Sequence, residues 1–109
     1  TVFPFRRGAL LELPITTPID ADAILLGHEA SAPLRIWQEK LAYIRGLGGF
    51  ACITTHPAKY FGGNAVMLAT YETLLRSVVN DGDAWLATMS DIAVHWQGRE
   101  RDIERLWCS

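Results

Sequence analysis

A five-residue apolar run, Phe50-Ala51-Cys52-Ile53-Thr54, stands between two stretches of helical periodicity, and this arrangement limits the fold more than any other feature. Before it, Leu34, Trp37, Leu41, Ile44 and Leu47 recur at spacings of three and four, with Arg35, Gln38, Glu39, Lys40 and Arg45 off the stripe. Ser31 suits an N-cap, and Pro33 falls in the first turn, where no amide hydrogen is needed. Gly46, Gly48 and Gly49 end this helix. After the run, Asn64 suits the cap of a second helix with the stripe Met67, Leu68, Tyr71, Leu74, Leu75 and Val78. A short apolar run without polar alternation between two such helices predicts a parallel strand covered on both faces.

Two more segments fit the same pattern. Residues 9–13 form a short apolar run between Gly8 and Pro14, and residues 84–88 form another after the break Asn80-Asp81-Gly82-Asp83. Residues 15–30 read as a long connection with one helical turn over 21–26. Ser90 suits the cap of a last helix with Ile92, Trp96, Arg99, Ile103, Leu106 and Trp107 on one side. Its charged run 99–105, where Arg99 and Asp102, and Arg101 and Glu104, lie three apart, reads as a solvated face. The predicted fold class is α/β, a partial (β/α) barrel of about three parallel strands each followed by a helix. Such a sheet has two open edges, which predicts self-association or a complementing partner.

Composition narrows the functional classes. At 109 residues no second domain is expected, and 50% hydrophobic residues exclude a disordered chain. A net charge of −2 excludes a basic nucleic-acid surface, and no apolar run approaches the roughly 20 residues of a membrane helix. Cys52 sits in an apolar run and Cys108 near the end, so no disulfide is predicted. Residues 1–7 have neither the apolar centre nor the cleavage site of a signal peptide, and Thr1 in place of Met predicts that residues precede it.

In a parallel α/β sheet the functional groups collect where the strands end, and only the run ending at Thr54 is followed closely by a histidine, His56. Pro57 favours an extended backbone at His56, and an imidazole held there suits general acid or base chemistry. From the residues alone, a loop histidine satisfied by a neighbouring backbone carbonyl is the plainer reading. His28, in a loop, and His95, beside Trp96, read as structural or solvent-facing. No histidine pairs with a ligand at metal-site spacing, so no metal ligand is assigned. The Gly62-Gly63 and Gly46-Leu47-Gly48-Gly49 loops lack the context of a nucleotide site, and no serine has a nucleophile-elbow context. Two roles are open to Asp20, which with Asp22 and Glu12 is nearest the presumed active edge: orienting an imidazole or polar ligand, or capping the short helical turn. Trp85 reads as core or as a platform for a sugar ring.

Three segments together resemble the carboxyl-terminal half of the polysaccharide deacetylase family, the NodB-homology or carbohydrate esterase family four domain. Leu10-Leu11-Glu12-Leu13-Pro14 with the downstream Asp20 resembles a late family strand. Ile53-Thr54-Thr55-His56-Pro57 resembles the last family motif, its His-Pro form being similar to the allantoinase-like branch. Residues 83–96, from Asp83-Ala84-Trp85 to Ile92-Ala93-Val94-His95-Trp96, resemble the closing stretch. The resemblance covers roughly the whole chain and implies that residues 1–109 are the carboxyl-terminal portion of a metal-dependent hydrolase of non-peptide amides, acting on an amino-sugar polymer or another N-acyl substrate. It further implies that His56 protonates the leaving amine and that Thr54 lines the acyl pocket, where the family usually has leucine; Asp20 and Trp85, from their places near the presumed active edge, are the other candidate substrate contacts. A divalent metal such as zinc is implied for the complete domain.

The family's early Asp-Asp motif and its His-x-x-x-His pair are both absent from these 109 residues. The alternative is a non-catalytic self-association module. The isolated chain is therefore expected to show no amidase activity with added zinc or cobalt; turnover that depends on the metal and disappears in His56→Ala would overturn this. A homo-oligomer is expected by light scattering, and a cooperatively unfolding monomer would count against it.

Overall fold

A computed structural model describes residues 1–26 and 30–108; His28 therefore lies outside the described residues. The element order is β1 (Phe5–Arg7), β2 (Leu10–Glu12), α1 (Asp20–Leu26), α2 (Ala32–Leu47), α3 (Ala65–Val79) and α4 (Met89–Cys108). The chain divides into two compact units, one of Thr1–Val2 with Pro14–Ala84 and the other of Phe3–Leu13 with Trp85–Ser109.

This architecture overturns the α/β expectation. The protein is mostly helical, its one sheet has two antiparallel strands, and no parallel pair or barrel exists among the described residues. The predicted first strand exists as β2, but it pairs with β1 through the register Arg7↔Leu10. The two-residue connection has Gly8 first, at φ +60°, the residue pattern of a II′ hairpin turn. Arg7-Gly8-Ala9-Leu10 thus closes a local hairpin, and local closure costs less chain entropy than a distant parallel pairing.

The other two predicted strands are not strands. Residues 50–56 use one edge for bonds that are not a ladder. The Cys52 amide donates to the Thr16 hydroxyl at 2.7 Å, the Thr17 hydroxyl donates to the Cys52 carbonyl at 2.9 Å, and the Phe50 amide donates to the Val2 carbonyl. Buried threonine side chains here occupy backbone groups that a neighbouring strand would otherwise pair. Residues 84–88 leave Trp85 and Leu86 exposed and join no sheet.

The first unit is organised by α1, α2 and α3. Its core is Ala23, Trp37, Met67 and Leu74, with Ile24, Leu34, Leu41, Ile53 and Tyr71 packed against it. The predicted stripe of α2 points inward except at Leu47, and that of α3 splits, with Met67 and Leu74 buried but Leu68 and Leu75 exposed. Ser31 precedes α2 without a side-chain cap bond, whereas Gly48 closes the helix at φ +68°. Trp37 has no exposed surface and donates its indole N–H to the Pro18 carbonyl at 2.8 Å, fixing the chain two residues before α1.

In the second unit, Phe3 stacks on Trp96 with centroids 6.1 Å apart, and Arg6 from β1 binds Glu100 of α4 at 2.7 Å. The start of α4 corrects the Ser90 assignment. Thr88 and Asp91 form a reciprocal box, with the Thr88 amide donating to Asp91 and the Asp91 amide to the Thr88 hydroxyl, and Ser90 lies inside the helix. Asp102 pairs with Arg105, and Arg99 lies over the Trp96 ring. No described helix is long and apolar enough to cross a membrane.

Trp37→Phe keeps an aromatic ring but deprives the Pro18 carbonyl of its donor. It is expected to cost about 1–3 kcal/mol, as measured by urea unfolding followed by circular dichroism.

Candidate functional site

The first unit brings Asp20 and His56 together across 36 positions of sequence. Asp20 opens α1 and has no exposed surface. Its amide donates to the Thr54 carbonyl at 3.3 Å, which ties the start of the helix to the extended segment that carries His56.

A buried carboxylate needs donors to replace lost water. Asp20 has four. One oxygen, Oδ1, accepts from the Ala21 amide at 2.9 Å and faces His56 Nδ1 at 2.6 Å. The other, Oδ2, accepts from the His56 amide at 2.7 Å and the Gly62 amide at 3.0 Å. Burial by itself would raise the Asp20 carboxyl, but the bonds from the His56 ring and from the His56, Ala21 and Gly62 amides outweigh it and hold the group below its usual range. Of the two roles open to Asp20 in the sequence, its side chain takes the orientation of an imidazole; it lies inside α1 as the first residue rather than capping it, and within the helix it bonds only the next amide, that of Ala21.

An ionised Asp20 makes Nδ1 of the neutral ring its proton-bearing nitrogen and leaves Nε2 with the lone pair. No described residue bonds Nε2, and the His56 side chain is 45% exposed, so the ring is anchored on one side and open on the other. Phe61 tilts against the ring, with centroids 5.8 Å apart. The geometry suits proton transfer, with a carboxylate setting the tautomer of an imidazole whose other nitrogen faces outwards.

The remaining predicted site residues are placed differently. Thr54 contributes its carbonyl to Asp20 through the main chain. Trp85, a residue 62% exposed, belongs to the second unit, where its ring meets His95 edge-on with centroids 5.3 Å apart. Phe61 and Gly62 were not singled out as site residues in the sequence; the signal was the Gly-Gly pair shortly after His-Pro. Among the described residues no three His, Cys, Asp or Glu side chains converge as metal ligands.

No family model, no curated protein and no solved structure matches the chain.

Because its carboxyl is held below the ordinary value of 3.8, the stability Asp20 contributes is fully present above that value and lost as pH falls through the lower, folded value. The stability gap between wild type and Asp20→Asn, measured by urea unfolding, is expected to be largest near neutrality and to shrink below about pH 4.

Proposed function

We propose that Asp20 and His56 are the proton-transfer pair of a hydrolase acting on non-peptide carbon–nitrogen bonds, of the polysaccharide deacetylase kind. The observation that supports this best is the Asp20–His56 contact at 2.6 Å, between a carboxylate with no exposed surface and an imidazole whose other nitrogen has no bond from any described residue. An amide resists hydrolysis because its nitrogen is a poor leaving group until protonated. In the imidazolium state, Nε2–H donates its proton to the departing nitrogen as the carbon–nitrogen bond breaks. The amine leaves neutral, and the ring returns to its Nδ1–H form against Asp20. Water adds to the carbonyl carbon before that bond breaks, forming the carbon–oxygen bond and losing its proton to solvent, from which the ring is protonated again for the next cycle.

Amino-sugar N-acyl groups are the substrate class this reading takes from the resemblance. In the natural gene product carrying residues 1–109, acetate release from N-acetylglucosamine oligomers is expected, with His56→Ala lowering kcat by about 10²–10⁴ and leaving KM nearly unchanged. Unchanged kcat in that variant, or no acetate release from the wild type, would overturn the reading.

A second reading, self-association, is favoured by the outer side of α3. Leu68, Leu75 and Val79 are exposed there, beside the Glu72–Arg76 pair. Antiparallel pairing of two copies about a two-fold axis would set Glu72 of each against Arg76 of the other, which makes this face complementary to itself. A dimer in sedimentation equilibrium that Leu75→Glu converts to monomer is the expected result, and a wild-type monomer would exclude it.

A further inference from the structure

The Asp20–His56 pair is joined to α3 by a short loop, and the residue that closes that loop does two separable things. Asn64 caps α3, its Oδ1 accepting from the Met67 amide at 3.0 Å. Its Nδ2 points backwards and donates to the Phe61 carbonyl at 2.9 Å and the Lys59 carbonyl at 3.3 Å. Helix capping needs only the first of these bonds. The other two hold the loop 58–63, which is also turned by the Phe61 and Gly63 amides donating to the Ala58 carbonyl.

That loop delivers two groups to the pair: the Gly62 amide to Asp20 Oδ2, and the Phe61 ring, tilted against that of His56. The approach is tight. A Cβ at Gly62 would lie 2.7 Å from the His56 carbonyl oxygen and 3.0 Å from Asp20 Oδ2, closer to backbone than a side chain can normally sit. Any larger residue there forces the loop or the segment at His56 to shift. Asn64 therefore holds the peptide on which both contacts depend, while anchored by Met67, a residue 5% exposed in the core.

We propose that Asn64 is a positioning residue of the Asp20–His56 pair, acting through the Phe61-Gly62 peptide that its side-chain amide fixes. The proposal rests on the proton-transfer reading of that pair, but its readout does not require turnover.

Asn64→Asp separates the two roles, since aspartate caps a helix as well as asparagine does but has no N–H to give the loop. In the 109-residue chain, hydrogen exchange and ring ¹⁵N shifts report the result. Asn64→Asp is expected to lower the protection of the Gly62 amide about tenfold and to move the neutral His56 ring from the Nδ1–H towards the Nε2–H tautomer, with Met67 amide protection unchanged. Gly62→Ala, which leaves the cap intact, is expected to shift the tautomer in the same direction. Unchanged Gly62 protection and tautomer in Asn64→Asp would overturn the proposal, as would loss of Met67 protection along with that of Gly62, which would make capping the whole role. Asp20→Asn tests the underlying reading separately: an unaltered His56 tautomer there would remove the pair itself.

Discussion

The first unit is organised around the need to satisfy one buried carboxylate. Asp20 has no exposed surface, and an ionised group out of water is tolerated only when fixed dipoles replace its hydration. Its donors come from residue 21, residue 56 and residue 62, so three stretches of chain must converge for the charge to be stable. Three donors are main-chain amides and the fourth is the His56 ring. Satisfying the charge and assembling the site are therefore one process, and the orientation of His56 is a by-product of keeping Asp20 ionised.

Hydrophobic packing brings those stretches close enough. Trp37 fills the core and grips the Pro18 carbonyl, which sets where α1 begins and hence where Asp20 sits. Ile53 packs on the same core one residue before the Thr54 carbonyl that receives the Asp20 amide. Thr16 and Thr17 bind both polar groups of Cys52, and their hydroxyls keep the two extended segments in register without a ladder. The imidazole is thus presented from a segment whose position depends on side chains of the neighbouring segment.

Much of the helical framework was legible in the sequence because it rests on local rules. The stripe of α2, the Asn64 cap and the Gly48 terminus each follow from spacing or from one residue's geometry. The fold class was not legible, because a run such as Phe50-Ala51-Cys52-Ile53-Thr54 is compatible with a strand and also with an extended segment whose polar groups go to hydroxyls. Periodicity does not distinguish the two. The hairpin was missed although Gly8 stood at the first position of its turn, since β1 carries two arginines and lacks an apolar signal. For the site, His56 and Asp20 were both named from their places in the chain, but their direct bond is a tertiary fact. Gly62 looked like an ordinary loop glycine because nothing local indicates that a carboxylate oxygen lies 3.0 Å from where its side chain would be. Thr88 and Asp91 show the opposite case, a Thr-x-x-Asp box readable in sequence but passed over for the nearby Ser90.

The second unit is made from the two flanks of the sequence, with the first unit between them. Its Arg6–Glu100 ion pair spans 94 positions, and Phe3 meets Trp96 in the same way. During synthesis the hairpin leaves the ribosome early but has no helix to pack on until α4 follows. An isolated two-stranded hairpin is marginally stable at best in water. The first unit, beyond residues 1–2, is drawn from 14–84, all of which is synthesised before α4 completes the second.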